Sequence, residues 1–430
     1  MRKKTISLST IIIFALAWSL SASSIQAAPP ITTLPQALEY AVQHNGELKA
    51  FRLEKGVREA AEVRASLPAN PTLDVEGSSG IMSGSPHENS LVLSVSQEFT
   101  VAGKRDKRLV RANRDLEAFL WQVADRERLL RGEVKTAWYG LQLAELRVAL
   151  AERSITLNRQ VLSIAKERLA AGDIPELEFN LMNVELARSE GVRIAMVKER
   201  IQGQARLGAL IGLPLSGQAV TAELRGAPNV TKSVPQLQQL ARSNRPDLKV
   251  LEAEKARGDA EIELSQAERI PNITGGLLLR RDATSMETGG LEGRDTSLSI
   301  GLKLSVPIPL FDRNQAGIQE ARARRIAAVS RLDSARGQVD REVETAYTLL
   351  RNAESVLALY RDNILTQLED NLRLTQEAYQ LGELGILSVI QEQKQFIEVN
   401  NGYLTALHDR QTAVVQLEST VATAVTGGVQ

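Results

Sequence analysis

The residues best suited to binding a transition metal are sparse in this 430-residue sequence. The three histidines, His44, His87 and His408, lie far apart, and the chain contains no cysteine. Zinc and copper sites need imidazole or thiolate ligands at short, regular spacings, which the sequence lacks. It also lacks the nucleophile-elbow, phosphate-loop, dinucleotide and zinc-protease motifs. We therefore predict that the protein is not an enzyme and that it has no catalytic residue, no bound cofactor and no resident metal.

Acidic side chains flank two glycine-containing turns, where carboxylates from several chains could form a ring. Gly172 and Gly382 each interrupt a long helical pattern, in the segments LAAGDIP (169–175) and LGELGI (381–386). The alternative is a solvated helix start, where the helix dipole stabilises a carboxylate. Both interpretations stay open for the acids near these turns, which are Asp173, Glu176, Glu178, Glu383 and Glu392.

The two turns join helices of unusual length. No proline occurs between Pro86 and Pro175 or after Pro309, and a helix from about 104 to 170 would extend roughly 100 Å. Two apolar series advance by alternating steps of four and three residues, which is the spacing of coiled-coil packing. The series are Leu130, Val134, Ala137, Leu141, Ala144, Val148, Ala151, Ile155 and Val339, Val343, Ala346, Leu350, Ala353, Leu357, Tyr360, Ile364. We predict long coiled-coil hairpins with tips near residues 172 and 382.

The chain is built from two sequence repeats. Residues 34–49 (LPQALEYAVQHNGELK) resemble residues 234–249 (VPQLQQLARSNRPDLK), and the two apolar series lie about 209 residues apart. In each repeat, short amphipathic helices precede two strands and a long helical hairpin, in the same order. The predicted organisation is a first repeat at 28–214, a linker at 215–233 and a second repeat at 234–430.

Four strand-like segments alternate apolar and polar residues, at about 71–80, 90–99, 272–281 and 296–306. Such alternation is typical of outer-membrane barrel strands and equally of a half-buried soluble sheet. Four strands cannot enclose a pore, since about eight form the smallest barrel. A channel would therefore require several chains that pool their strands and helices, and the residues alone leave the number of chains open.

The N-terminus has the features of a secretory signal peptide. Arg2, Lys3 and Lys4 precede an apolar stretch to about Leu20 and a small-residue exit that ends at Ala27. We predict cleavage after Ala27 and hence export, with an uncleaved anchor as the alternative. Beyond residue 27 no apolar run reaches about 18 residues, so no transmembrane helix is predicted. The mature chain carries a net charge near −3, which gives no support for a nucleic-acid partner.

This arrangement resembles the outer-membrane efflux proteins of the TolC family over about residues 30–425. The resemblance rests on LSVPIPLFDRN (304–314) ahead of a long helix, AYQLG (378–382) at a tip and RLGALIGLP (206–214) at the end of the first repeat. The SLPANP turn (66–71) and the step from QEF (97–99) to GKR (103–105) are most similar to the heavy-metal branch, which includes the cobalt–zinc–cadmium efflux proteins.

The resemblance implies a mainly α fold with a small β part. Three chains would form a 12-stranded β-barrel in the outer membrane of a Gram-negative bacterium, continued by an α-helical tunnel in the periplasm. The implied function is the channel of a tripartite resistance–nodulation–division efflux system that exports cobalt, zinc, cadmium or nickel. The implied partners are two further chains of the homotrimer, a periplasmic adaptor (membrane fusion) protein, an inner-membrane pump and outer-membrane lipid. The alternatives are drug efflux, type I protein secretion and, less favoured, a soluble periplasmic coiled-coil scaffold.

The sequence departs from the family pattern at the tunnel tip. Some members narrow the tip with aspartates about six and nine positions past the tip glycine, where this chain has Ser388 and Gln391. Many drug-efflux members also carry a lipid-bearing cysteine, which is absent here. The expected residues of the tunnel tip and adaptor contact are Gly172, Asp173, Glu176, Gly382, Glu383, Ser388 and Gln391.

Overall fold

A computed structural model describes residues 31–85, 87–215, 229–289 and 291–425. The predicted signal peptide and most of the predicted linker lie outside the described residues. The first half contains α1 (Leu34–His44), α2 (Gly46–Leu53), α3 (Lys55–Ser66), β1 (Thr72–Ser79), β2 (Asn89–Phe99), α4 (Lys104–Ala171) and α5 (Glu176–Ile211). The second contains α6 (Val234–Asn244), α7 (Pro246–Ala267), β3 (Ile273–Thr288), β4 (Leu291–Ser305), α8 (Gln315–Leu359), α9 (Leu365–Gln380) and α10 (Ile386–Val421).

The mainly α fold with a small β part is confirmed. Helix α4 has 68 residues, which corresponds to roughly 100 Å. Strands β3 and β4 extend beyond the segments read from the sequence, to Thr288 and from Leu291 respectively. Within the described ranges, none of the helices combines the length and the apolar content needed to cross a membrane.

The core is a set of narrow seams between long helices. All eight positions of the first apolar series are buried, from Leu130 to Ile155. In the second series the residues from Val339 to Leu350, together with Leu357, are buried, and the remaining three are half-buried. The two repeats therefore use equivalent residues for equivalent packing, as expected for coiled-coil spacing.

The second hairpin contains one residue more than the first. The apolar series of the two halves stay 209 residues apart as far as Ile155 and Ile364, whereas the tip glycines Gly172 and Gly382 are 210 apart. A π-helical turn at Tyr360–Ile364 lies between α8 and α9 at this point. A π turn accommodates a single inserted residue without ending the helix, which explains the shift.

In each half the chain forms a corner between two short helices, close to the end of the returning long helix, α5 or α10. In the first half the Asn45 side chain accepts a hydrogen bond from the Leu48 amide and donates one to the Leu210 carbonyl, both at 2.9 Å. The equivalent residue of the second half is Arg245, whose guanidinium donates to the Thr420 carbonyl at 3.4 Å. A neutral corner and a charged corner thus occupy equivalent positions.

Arg245 is 7 % exposed and is neutralised by two carboxylates. Its Nε and Nη2 donate to the two oxygens of Asp247 at 3.0 and 2.6 Å, and its Nη1 donates to Glu342 at 2.5 Å. Burial opposes the charge on Arg245, but the hydrogen bonds and charges of Asp247 and Glu342 raise its pKa overall. Burial also acts to raise the pKa of Asp247, and Arg245 outweighs it, so that this pKa is lowered.

The four strands form one antiparallel sheet in the order β1-β2-β3-β4. The register pairs Val75 with Leu93, Leu93 with Leu279, and Leu279 with Ile300. Side chains therefore alternate between an apolar face and a polar face across the whole sheet. We define the apolar face as Leu73, Val75, Leu91, Leu93, Val95, Leu277, Leu279, Leu298, Ile300, Leu302 and Leu304.

Candidate functional site

The sheet exposes its apolar face, while two serines in the middle of its polar face are covered. Every residue of the apolar face is exposed, up to 86 % for Leu302 and 81 % for Ile300. On the opposite face of β2, Ser94 and Ser96 are only 9 % and 8 % exposed. A water-soluble sheet buries the apolar side, so this distribution is inverted relative to a soluble protein.

Neighbouring strands approach each other closely on the polar side of the sheet, which we call the concave face, and we call the apolar side the convex face. A Cβ added to Gly301 would lie 3.0 Å from Cδ1 of Leu278, and one added to Gly276 would lie 2.9 Å from the Val95 carbonyl oxygen. Glycine is therefore needed where neighbouring strands converge on the concave side. The concave face carries mainly small and polar residues together with Val92 and Leu278, and the convex face carries the other leucines of the sheet.

Aromatic side chains mark the edge of the apolar face nearest the long helices. Phe99 ends β2 and is 56 % exposed, and Phe311, shortly after β4, is 92 % exposed. Exposed aromatic rings at the boundary of an apolar band are typical of a membrane–water interface. Strands β1 and β4 form the two edges of the sheet and pair on one side only.

The other end of the molecule carries the two hairpin tips. Gly172 has φ +80° and Gly382 has φ +82°, a left-handed conformation that closes a helix without a Cβ clash. The Asp173 amide donates to the Arg168 carbonyl, and the Glu383 amide donates to the Ala378 carbonyl, both at 2.9 Å. The same closing turn is therefore used in both halves.

The tips of the two hairpins pack together. A shared apolar cluster contains Ile174 and Met182 from the first hairpin and Tyr379, Ile386 and Val389 from the second. This contact fixes the position of the two turns relative to each other. The sequence predicted each turn but not the contact between them.

An arginine and a tyrosine, neither of them predicted, join the hairpins at this level. Arg168 of α4 donates from Nη1 to the Tyr379 carbonyl at 2.9 Å, and its guanidinium lies 4.9 Å from the centre of the Tyr379 ring. Tyr379 is fully buried, and its hydroxyl has no hydrogen-bond partner within the described chain. Burial raises the pKa of this phenol, while Arg168 acts in the opposite direction, so the side chain stays neutral. The AYQLG segment includes Tyr379, but no feature of the sequence indicates Arg168 as its partner.

All seven predicted tip residues are exposed. Asp173, Glu176 and Glu383 form no described ion pair, and Ser388 and Gln391 lie one turn apart on α10 beside the exposed Leu387. Glu392 differs, because its Oε1 is buried without a hydrogen-bond partner in the described chain. Where the structure describes the chain, His, Asp and Glu side chains form no group of three able to hold a metal ion.

The chain is similar to several known proteins. A family model described as "Outer membrane efflux protein" matches residues 237–423. The nickel-cobalt-cadmium resistance protein NccC of Alcaligenes xylosoxydans is 28 % identical over 74 % of this chain and 70 % of its own length. The cobalt-zinc-cadmium resistance protein CzcC of Cupriavidus metallidurans is 23 % identical over 91 % of this chain and 90 % of its own.

Solved structures share the fold. CusC, whose structures concern folding and transmembrane channel formation, aligns with a TM-score of 0.72 at 19 % identity, covering 92 % of both chains. The open MtrE outer membrane channel of Neisseria gonorrhoeae also gives 0.72, at 17 % identity, over 93 % of this chain and 91 % of its own.

Proposed function

We propose that the chain is a member of the outer membrane efflux protein family and that it forms the outer-membrane channel of a tripartite system that exports heavy-metal cations. The observation that carries the membrane part is the inverted sheet, whose exposed leucines suit lipid and whose concave polar face suits an aqueous lumen. The relatives named for nickel, cobalt, zinc and cadmium resistance support the choice of cargo. The cations would pass through a wide polar conduit, so no resident metal site is required.

We propose that several chains close the conduit, three by resemblance to the family. The argument comes from the sequence repeat. Helices of the second half pack against the first half of the same chain, and the equivalent helices of the first half have no matching partner within the described chain. Helix α7 packs against both α4 and α8, whereas its equivalent α3 packs on α4 alone among the long helices described. The exposed apolar residues here are Leu53 at the end of α2 and Val57 and Val63 of α3.

The returning helices show the same asymmetry. Helix α10 packs on α8 and also on α4 of the other half, whereas its equivalent α5 packs on α4 but makes no comparable contact with a second long helix of the described chain. Ile194 and Ile201 of α5 are 65 % and 55 % exposed. Because α7 and α10 pack on the long helix α4 of the preceding half, the equivalent helices α3 and α5 should pack on the long helix α8 of the preceding chain. This head-to-tail contact closes into a ring.

Replacing Ile194 and Ile201 together by glutamate should prevent association of the chains. Two charges would enter an apolar helix contact in every copy, at a cost of several kcal/mol per interface. Size-exclusion chromatography with light scattering on detergent-extracted protein measures the change. Arg188→Glu, on the flank of α5 that borders α10, is the matched control and should remain oligomeric. An intact oligomer in the double variant would contradict the proposed interface.

The cargo is tested by the metal susceptibility of a deletion strain. We expect increased sensitivity to zinc, cobalt, cadmium or nickel, restored by the wild-type gene. Sensitivity confined to organic toxins would contradict metal export and favour drug efflux.

We further propose that the tips meet a periplasmic adaptor that connects the channel to an inner-membrane pump of the resistance–nodulation–division type. The unpaired acids Asp173, Glu176 and Glu383, next to exposed leucines such as Leu177 and Leu387, offer both charge and apolar area. Because the chain has no cysteine, a single cysteine introduced as Ser388→Cys can be cross-linked to its neighbour in cells. Absence of an adaptor adduct, with a functional channel, would contradict this contact.

A further inference from the structure

We propose that Arg281 and Arg294 bind the phosphate groups of the glycolipid that forms the outer leaflet of the outer membrane. The site lies on the convex side of the sheet, where Arg281 occupies the last row of the apolar face and Arg294 lies beyond it with His87 beside it. The inference rests on the proposed outer-membrane channel and adds a specific lipid ligand to it.

The register directs Arg281 towards lipid. Arg281 pairs with Leu91 on one side and Leu298 on the other, both members of the apolar face. Leu277 and Leu279, two and four positions earlier on β3, also belong to that face, and residues two apart on a strand share a side. Arg281 therefore projects from the same surface as the leucines.

Arg294 lies on the same face of β4, further from the long helices. It pairs with Ser285 and is four positions before Leu298, a separation of roughly 13 Å along the strand. Its Nη2 is 3.2 Å from Nε2 of His87, in the connection between β1 and β2. Arg281 thus lies level with the last row of the apolar face, and Arg294 lies beyond that row.

This end of the sheet faces away from the tunnel. Helices α4 and α8 leave the sheet after Phe99 and Ser305, at the opposite end. The apolar rows from Leu304 to Leu298 extend roughly 20 Å along β4, or roughly 15 Å in height at the strand tilt of a membrane barrel. Arg294 lies roughly 10 Å higher, about 25 Å above Leu304, which is the height of a barrel's lipid-facing band. Arg294 consequently lies at the level of the outer-leaflet headgroups, where a leaflet of phosphorylated glycolipid presents its phosphates, and the long side chain of Arg281 extends towards that level from the last apolar row.

The charge environment distinguishes Arg281 from its neighbour in sequence. Arg280, on the concave face, forms an ion pair with Asp282 at 2.8 Å. Arg281 is exposed and has no ion pair among the described residues. An outward-facing guanidinium at the edge of an apolar surface has a planar fork of donors available, which matches the oxygens of a phosphate.

Native mass spectrometry of the detergent-extracted oligomer tests the proposal with three probes, which are bis-phosphorylated lipid A, its dephosphorylated form and inorganic phosphate. We expect the phosphorylated lipid to bind and the Arg281→Ser/Arg294→Ser variant to bind it at least tenfold more weakly, as for the loss of charged hydrogen bonds. Arg280→Ser, one residue away on the opposite face, should bind within about twofold of wild type.

Three results would overturn the inference. These are unchanged binding in the double variant, equal binding of the dephosphorylated lipid, and binding of inorganic phosphate as tight as that of the lipid. Membrane fractionation of the same strains separates this outcome from failure of the proposed function. If the chain is found in the outer membrane and exports normally while lipid binding is insensitive to both arginines, only the lipid site is wrong. If the wild-type chain is absent from the outer membrane, the channel assignment itself fails.

Discussion

Ile300→Arg is expected to eliminate the folded chain from the outer membrane. Ile300 lies in a middle row of the apolar face, level with Leu93 and Leu279, and is 81 % exposed. An arginine on the lipid face near the bilayer midplane costs about 2–4 kcal/mol per copy, and an oligomer pays this cost once for each chain. The measurement is the amount of heat-modifiable oligomer in the outer-membrane fraction, which should fall at least tenfold.

Ser299→Arg provides the matched control for that experiment. Ser299 is the adjacent residue on β4 and projects to the concave polar face, opposite Arg280. An arginine there enters an aqueous lumen, so the oligomer should be recovered in near wild-type amounts. Normal assembly of Ile300→Arg, or equal loss of both variants, would mean that the leucines do not face lipid.

The comparison of these two neighbours also shows what the sequence could and could not establish. Alternation placed Leu298, Ile300, Leu302 and Leu304 on one face, but alternation is the same in a soluble sheet and in a membrane strand. Burial resolves the ambiguity, because Ser94 and Ser96 are covered while the leucines are exposed. Burial depends on sheet curvature and on what packs nearby, neither of which is encoded in the spacing of one strand.

The long helices were more predictable because their packing is local and periodic. The alternating steps of four and three residues identify the buried seam of α4 without knowledge of its partner. The same spacing does not identify the residues against which a hairpin packs. The contact of Arg168 with Tyr379 joins residues 211 positions apart, and it depends on how two hairpins are placed side by side. A single sequence carries no signal for that pairing.

The π turn at Tyr360–Ile364 could be predicted from the sequence only in part. The change from an offset of 209 to one of 210 is present in the sequence and locates one extra residue between Ile364 and Gly382. The inserted residue could equally have lengthened the tip loop. Only the structure shows that the extra residue is absorbed within the helix, where Tyr360 approaches Gly402 of α10 so closely that a Cβ there would clash with the phenol oxygen. The tips of the two hairpins are consequently able to use the same closing turn.

Arg245→Met is expected to destabilise the channel by roughly 3 kcal/mol of unfolding free energy. The substitution keeps the apolar volume but leaves Asp247 and Glu342 without their shared cation, and breaking a buried ion pair from one side typically costs 3–5 kcal/mol. We choose the lower end because the side chains of Asp247 and Glu342 are 35 % and 37 % exposed. The thermal midpoint of the purified oligomer should fall by several degrees.

Arg242→Met is the control for this position. Arg242 lies on the preceding helix and pairs with Asp340, but it is exposed, so its pair is screened by water and contributes little. Its thermal midpoint should remain close to that of the wild type. Equal decreases of the thermal midpoint in the two variants would show that the buried ion pairs of Arg245 stabilise the fold no more than an exposed ion pair does.

Acidification should reduce the difference in thermal midpoint between the wild type and Arg245→Met. The pKa of Asp247 is lowered in the folded chain, so its contribution to stability is complete above the ordinary aspartate pKa of about 4 and is lost as the pH falls through the lowered value. In Arg245→Met the guanidinium that contributes most to lowering this pKa is absent, and only the charge of Arg128 and the Leu248 amide still act to lower it. The gap between the two midpoints is therefore expected to be constant near neutrality and to narrow below about pH 4.

Neutralising the whole corner should restore much of the stability that Arg245→Met removes. The first half forms the equivalent corner with Asn45, which is uncharged and makes its contacts with two backbone groups. The fold therefore does not require an ion pair here, and the cost of Arg245→Met comes mainly from the stranded carboxylates. Adding Asp247→Asn and Glu342→Gln to Arg245→Met should raise the thermal midpoint above that of the single variant. If the triple variant is less stable than the single one, the guanidinium contributes chiefly through its bond to the Thr420 carbonyl and its packing.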